Sequence, residues 1–205
     1  MRKINPNLLA FDADGVLIDY HAAYALAWER AFGHPVPVVD PLAYWPKDRY
    51  GLRHLSGAEL ELFRSQFNHA LWSNMPALPG AAEGLRLLKA AGYDLVCVSA
   101  VRPEHRQARE DNLRSLGLPI QKVFSCHGAS GSVSPKAAAL DSLMPAAFID
   151  DYLPYMRGVD SAIHTALIDR SPNGSPNVGD EMSLARSSHS DILDFSRFWL
   201  SREHP

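Results

Sequence analysis

Long apolar runs are missing from this 205-residue chain. None approaches the roughly 20 residues needed to span a bilayer as a helix, so a membrane-spanning class is not expected. The first residues, Met1-Arg2-Lys3-Ile4-Asn5-Pro6, carry charge but lead into no secretory apolar core, because the next apolar stretch ends at Asp12. Strong charge of one sign is also absent. The net charge is −3 and there is no basic stripe, which argues against duplex nucleic acid as a partner. Only two cysteines occur, Cys97 and Cys126, far apart and without metal-ligand spacing. Cys97 lies in an apolar run where a buried, inert thiol is expected, and a reducing cytoplasm fits this usage. The nine histidines form no HExxH pair, and there is neither a GxxxxGK phosphate loop nor a GxSxG elbow. A zinc protease, a P-loop kinase and a serine hydrolase are thereby disfavoured.

What is present is ordinary globular material, 46% hydrophobic and 21% charged, long enough for one domain with a sizeable insertion. Residues 8–12 read as a buried strand and 20–33 as a helix stopped by Gly33. Residues 34–54 hold four prolines and read as loop or broken helix. Ser56 and Glu59 form a capping-box pattern opening a helix with Leu60, Leu62, Phe63, Phe67, Leu71 and Trp72 on a helical period. After Pro79-Gly80 the pattern changes. Predicted helices at 81–91, 103–116, 136–143 and about 191–200 alternate with predicted strands at 93–99, 122–125, 146–150 and 164–168; residues 169–189 read as a long surface loop. Such alternation predicts an α/β fold, a Rossmann-like parallel sheet with helices on both faces. Residues 16–79 read as an inserted all-helical cap, leaving 1–15 and 80–205 as the core.

The chemistry concentrates where strands end. Phe11-Asp12-Ala13-Asp14-Gly15 follows the apolar run Leu8-Leu9-Ala10, and two carboxylates two residues apart on a strand share a face. At about 4 Å and an effective dielectric near 20 they repel by roughly 4 kcal/mol, so a cation, a proton or both must accompany them. An EF-hand reading fails because Val16 and Ala23 stand where calcium ligands belong. Ser99 ends the second strand, Lys136 starts a helix after the small-residue loop 128–134, and Asp150-Asp151 end a further strand. Ligands of open parallel sheets sit beyond the carboxyl ends of their strands. Four carboxylates, a lysine and a hydroxyl gathered there suit a hard divalent cation and a phosphate group.

These four motifs, in this order across nearly the whole chain, resemble the haloacid dehalogenase-like superfamily of phosphohydrolases. The resemblance implies that Asp12 is a nucleophile forming an aspartyl-phosphate and that Asp14 is the general acid/base. It implies that Asp12, the Asp14 backbone carbonyl and Asp151 hold Mg²⁺, with Asp150 in support. Ser99, the adjacent Ala100 and Lys136 become the phosphate clamp, with Lys136 also restraining Asp12. Asp14 must be protonated to donate, so its pKa is expected above the ordinary value. Two departures stand out: Ala100 occupies a position where the family commonly has Asn or Gly, and Tyr155 one where many members have a further acid. Arg102, Lys47, Arg49, Arg53 and the neighbouring His54 are candidates to read a second charge on the substrate, whereas Arg106 and Arg109 read as solvated helix residues. The implied function is a Mg²⁺-dependent phosphatase of a small phosphorylated metabolite, acting as monomer or homodimer. The alternatives are a phosphomutase, a haloacid dehalogenase and a catalytically silent binding protein of the same fold.

Overall fold

The computed structural model describes residues 3–202, so Met1, Arg2 and 203–205 at the outer limits of the expected core lie outside the described residues. Six strands form one parallel sheet: β1 (Asn5–Phe11), β2 (Asp94–Ser99), β3 (Val123–Ser125), β4 (Pro145–Asp150), β5 (His164–Ile168) and β6 (Ser187–His189), in spatial order β3-β2-β1-β4-β5-β6. The order reverses at β1, which lies between β2 and β4 and carries Asp12 at its tip. Alternation along β1 sorts its side chains to two faces. Leu9 and Phe11 join Leu95, Cys97, Ile149 and Phe195 in one apolar layer. Leu8 and Ala10 join Val96, Val98, Phe148 and Leu140 in the other. Both faces are therefore covered, as parallel strands require.

The first layer is completed by α5 (Ala81–Ala90), α6 (Arg106–Ser115) and α8 (Ile192–Ser201), and the second by α7 (Ala137–Leu143). Gly84 of α5 allows close approach to α8, since a Cβ there would meet the Ile192 carbonyl oxygen at 2.7 Å. Residues 16–79 add α1 (Tyr20–Phe32), α2 (Pro46–Arg49), α3 (Gly57–Ser65) and α4 (His69–Trp72) and contribute no strand to the sheet. Their aromatic residues pack on one another: Tyr24 lies 4.8 Å from Phe63, and Trp28 4.6 Å from Phe32, between ring centroids. Among the described residues, no helix is long and apolar enough to cross a membrane.

Several local expectations need correction. The helix expected through 56–72 is two helices, because Asn68 caps a new one by accepting from the Leu71 N–H at 3.3 Å. The Ser56–Glu59 capping box does not form. Ser56 makes no side-chain cap bond, and Glu59 instead accepts two bonds from Arg53, both at 2.6 Å; a bidentate charge-assisted pair outcompetes a single cap bond. The helix expected from Pro103 begins as a 3₁₀ turn, Pro103–His105, before α6. The expected loop 169–189 contains a 3₁₀ turn, Gly179–Leu184, and the edge strand β6. Its Ser-Ser-His sequence has no apolar signal, and pairing with β5 creates it.

Candidate active site

Asp12 extends the β1 ladder by one bond, its N–H donating to the Ile149 carbonyl at 2.8 Å. The chain then turns sharply, with the Ala13 carbonyl accepting from the N–H groups of Leu17 and Ile18, both at 2.8 Å. Gly15 makes this turn at φ +85°, and a Cβ there would lie 2.1 Å from an Asp151 carboxylate oxygen. Only glycine allows the β1 loop to press against the β4 loop this closely. On the β4 side, Asn177 fixes the backbone. Its Nδ2 donates to the Asp151 carbonyl at 2.8 Å and its Oδ1 accepts from the Leu153 N–H at 2.9 Å.

Lys136 lies at the start of α7, its backbone N–H donating to Ser134 Oγ at 3.1 Å. Its fully buried ammonium donates to Asp12 and to Asp150, each at 2.6 Å, and lies 4.4 Å from the Tyr155 ring centroid. Thus Tyr155 contributes an aromatic face in place of an acid. Burial disfavours the ammonium, but the two carboxylates outweigh burial and raise the Lys136 pKa. Asp12, Asp150 and Asp151 each place one carboxylate oxygen within 4.8 Å of the others. Among the described residues, Asp151 has no ion-pair partner. Burial, with Asp150 and then Asp12 adding repulsion, holds its carboxyl well above the ordinary value. Once all three acids are ionised they exceed the one ammonium by two negative charges, which a hard divalent cation with oxygen ligands matches in charge and in donor type.

These groups open onto a cavity of about 520 Å³, lined by Asp12, Asp14, Ser99, Ala100 and Asp151 on the sheet side. Ser99 is buried, with Oγ accepting from the Val101 N–H at 3.3 Å. Asp14 is not part of the three-carboxylate group. Its Oδ1 accepts from Arg109 Nη2 at 2.5 Å. Burial raises the Asp14 pKa, with Arg109 opposing and Asp12 reinforcing, so the expected direction holds.

The expectation for Arg109 is overturned: its side chain is 0% exposed. On α6 the buried residues are Ala108, Arg109, Asn112 and Leu113. The spacing of Arg109 to Leu113 and Leu116 would have placed it on the inward face, but the polar composition of that helix masks it. The expected substrate-reading bases are not gathered at the site. Arg102, Lys47, Arg49, Arg53 and His54 do not line the cavity. Arg53 is engaged by Glu59, Arg49 donates to the Pro41 carbonyl, and Arg102 lies 3.8 Å from Glu104 on the exposed surface. Residues 16–79 line the cavity instead with Tyr20, His21, Tyr44, Trp45, Pro46 and Trp72, none of them carrying a fixed charge. Tyr44 reaches across, its hydroxyl donating to the Asp151 carbonyl at 3.4 Å. Arg170, also unforeseen, lines the cavity and donates to the Gly15 carbonyl at 3.0 Å.

Comparison with known structures places this fold. A HAD family hydrolase of Deinococcus radiodurans, solved with phosphate and sodium bound, aligns over 98% of this chain and 97% of its own at TM-score 0.64 and 17% identity. A predicted phosphoglycolate phosphatase of Haemophilus somnus covers 95% and 98% at TM-score 0.64 and 19% identity. An L-2-haloacid dehalogenase of Xanthobacter autotrophicus covers 98% and 100% at TM-score 0.62 and 15% identity. The chain has the haloacid dehalogenase-like fold. Sequence similarity is more limited. A Bordetella pertussis protein provisionally named a 5′(3′)-deoxyribonucleotidase is 30% identical over 95 residues, which is 45% of this chain and 49% of that one. Thus the matched segment spans about half the length of the curated relatives it matches. No protein-family model matches the chain.

Proposed function

We propose that this haloacid dehalogenase-like chain is a phosphatase acting on a small phosphomonoester through an aspartyl-phosphate at Asp12. The observation that carries the reading is the cluster of Asp12, Asp150 and Asp151, bridged in part by buried Lys136, at the edge of an open cavity. Asp12, Asp150 and Asp151 would hold a divalent cation such as Mg²⁺, whose charge offsets the repulsion between a carboxylate nucleophile and a phosphate dianion.

In the first half-reaction the free Asp12 oxygen attacks phosphorus. The new O–P bond forms as the bond to the leaving oxygen breaks, and Asp14 delivers its proton to that oxygen. Lys136 holds one Asp12 oxygen and leaves the other to attack, and Ser99 would bind a phosphoryl oxygen. In the second half-reaction Asp14, now a carboxylate, takes a proton from water as that water attacks phosphorus. Inorganic phosphate leaves and Asp12 is restored. A haloacid dehalogenase needs neither the second aspartate nor a metal cluster, so Asp14 and the excess negative charge favour phosphoryl chemistry.

Residues 16–79 serve in this reading as the cap, bounding the cavity opposite the acids and excluding water during transfer. The cap wall favours a leaving group with a flat, uncharged ring over one with a second anionic group. Its cavity-lining members are aromatic or small, and its basic residues face elsewhere. A nucleoside monophosphate meets both demands, and the partial relative's name points the same way. Two free cysteines are compatible with a reducing cytoplasm.

The test is phosphate release from p-nitrophenyl phosphate and from a panel of nucleoside, sugar and carboxylic acid phosphates, with Mg²⁺ or with EDTA. Metal-dependent turnover with preference for nucleoside monophosphates is expected. Absence of turnover across the panel would overturn the phosphatase reading, and preference for a second anionic group would overturn the substrate class.

A further inference from the structure

Arg109 has no place in the mechanism above, yet its guanidinium is buried where three parts of the molecule meet. Its Nη2 holds Asp14 Oδ1 at 2.5 Å, and its Cζ lies 5.0 Å from the centroid of the Trp72 ring. Its Nη1 approaches Met75 Sδ at 3.6 Å. Asn112, one turn further along α6, donates to the Met75 carbonyl at 2.8 Å. Trp72 lines the cavity, and Asp14, with 26% of its side chain exposed, lines it as well.

Stability alone does not account for this arginine. Arg109 Nε and Asn112 Oδ1 are buried without a hydrogen-bond partner among the described residues. A well-packed apolar pair commonly stabilises a fold as well as a buried ion pair does. The contact instead constrains the carboxyl group. With Oδ1 held by a guanidinium that is itself wedged against Trp72 and Met75, Asp14 retains one free oxygen, and its direction relative to the aromatic wall is set.

We propose that Arg109 is a positioning residue for Asp14, fixing the direction of its carboxyl group toward the leaving oxygen of a substrate seated against Trp72. The proposal rests on the phosphatase reading and deepens it. Arg109 touches no reacting atom and acts through Asp14. A displacement of about 1 Å at such a group costs on the order of 10²-fold in rate. In the first half-reaction that cost should appear where protonation of the leaving oxygen is needed and disappear where the leaving group departs as a stable anion.

The test compares p-nitrophenyl phosphate with benzyl phosphate, two esters of one benzene ring with good and poor leaving groups, in wild type, Arg109→Lys and Arg109→Gln. For benzyl phosphate, kcat/KM should fall by roughly 30- to 100-fold. For p-nitrophenyl phosphate kcat/KM should fall less than about threefold, since kcat/KM reports the steps through departure of the alcohol and not the later attack of water that Asp14 also assists. Adding Asp14→Asn should cause little further loss, since the two residues act as a unit. Equal losses on both esters, or no loss on benzyl phosphate, would overturn the proposal while leaving the phosphatase reading intact. Loss of native circular dichroism in both variants would assign Arg109 to the fold and also overturn it. A wild type inactive on both esters would instead sink the underlying reading.

Discussion

On the sheet side of the cavity, Asp12, Asp150 and Asp151 bring carboxylate oxygens within 4.8 Å of one another, and one buried ammonium pairs with the first two. On the opposite side, residues 16–79 present Tyr20, Tyr44, Trp45 and Trp72 and no fixed charge. The acidic side stores unbalanced charge in a desolvated place, an arrangement that costs stability unless a cation completes it. The aromatic side stores none, and its rings pack and stack without needing a counter-ion. The difference suggests a division in which the strand ends supply reactivity and the helical segment supplies selection. Perturbing the two sides should therefore change different kinetic constants.

The sharpest break comes from Asp12. Asp12→Asn should lower kcat by at least roughly 10³-fold, because nucleophile removal leaves only binding and electrostatic assistance, with circular dichroism unchanged. Retained turnover would point to another nucleophile and dissolve the division at its acidic end. Next in size is the cation. EDTA should abolish phosphate release and Mg²⁺ should restore it. A cation held only by the folded state, present at 100 times its dissociation constant, adds about 2.7 kcal/mol of stability. At roughly 2–4 °C per kcal/mol for a chain of this size, Mg²⁺ should raise the melting temperature of the wild type by several degrees. Asp151→Asn should lose most of that rise, and an undiminished rise would place the cation elsewhere.

A smaller effect tests the aromatic side. Trp45 lines the cavity while remaining 45% exposed and packs edge-on to Tyr44 at 4.9 Å between centroids. Loss of one stacking face is worth on the order of 1 kcal/mol. Trp45→Ala should therefore raise KM for a nucleoside monophosphate about fivefold and leave kcat nearly unchanged. A kcat loss of the same size would show that the aromatic side shapes reactivity as well as selection.

The smallest effect lies away from both walls and serves as their control. Burial, reinforced by Arg202 and Arg186, lowers the His164 pKa to about 4 from an ordinary value of 6.5. The unfolded chain then binds the proton more readily between those values. The stability that neutral His164 contributes is present above pH 6.5 and is lost as the pH falls toward 4. The raised Asp14, Asp150 and Asp151 carboxyls act with the opposite sign, since their protonation favours the folded state. Comparing melting temperatures of wild type and His164→Gln from pH 7.5 to 4 isolates the histidine. The gap should change by on the order of a few degrees, and a constant gap would remove His164 as a source of acid sensitivity.

Legibility in the sequence followed the same divide. Asp12, Ser99 and Asp150 close apolar strand-like runs, so local pattern and fold class together bring them to one edge. Lys136 follows a small-residue loop, and its order among the strands marks it. Residues of the aromatic wall carry no such signal. Tyr44 is held in place by distant loop pairing, its N–H donating to the Asn173 carbonyl at 2.9 Å while Asn173 donates to the Leu42 carbonyl at 3.0 Å. Nothing within several residues of Tyr44 announces that partner. Lys47 and Arg53 carried a charge signal without a geometric one, and the structure engages Arg53 with Glu59 on the surface. Arg109 failed in the opposite direction, because the role of a charge inside a helical stripe depends on the carboxylate opposite, 95 positions away.

The most direct test of the central claim is an acid quench during steady turnover with ³²P-labelled p-nitrophenyl phosphate, followed by digestion and peptide mapping. The account predicts hydroxylamine-labile label on the peptide containing Asp12, formed only with Mg²⁺ and absent from Asp12→Asn. Turnover with no protein-bound label under any quench time, or label on a peptide lacking Asp12, would contradict it.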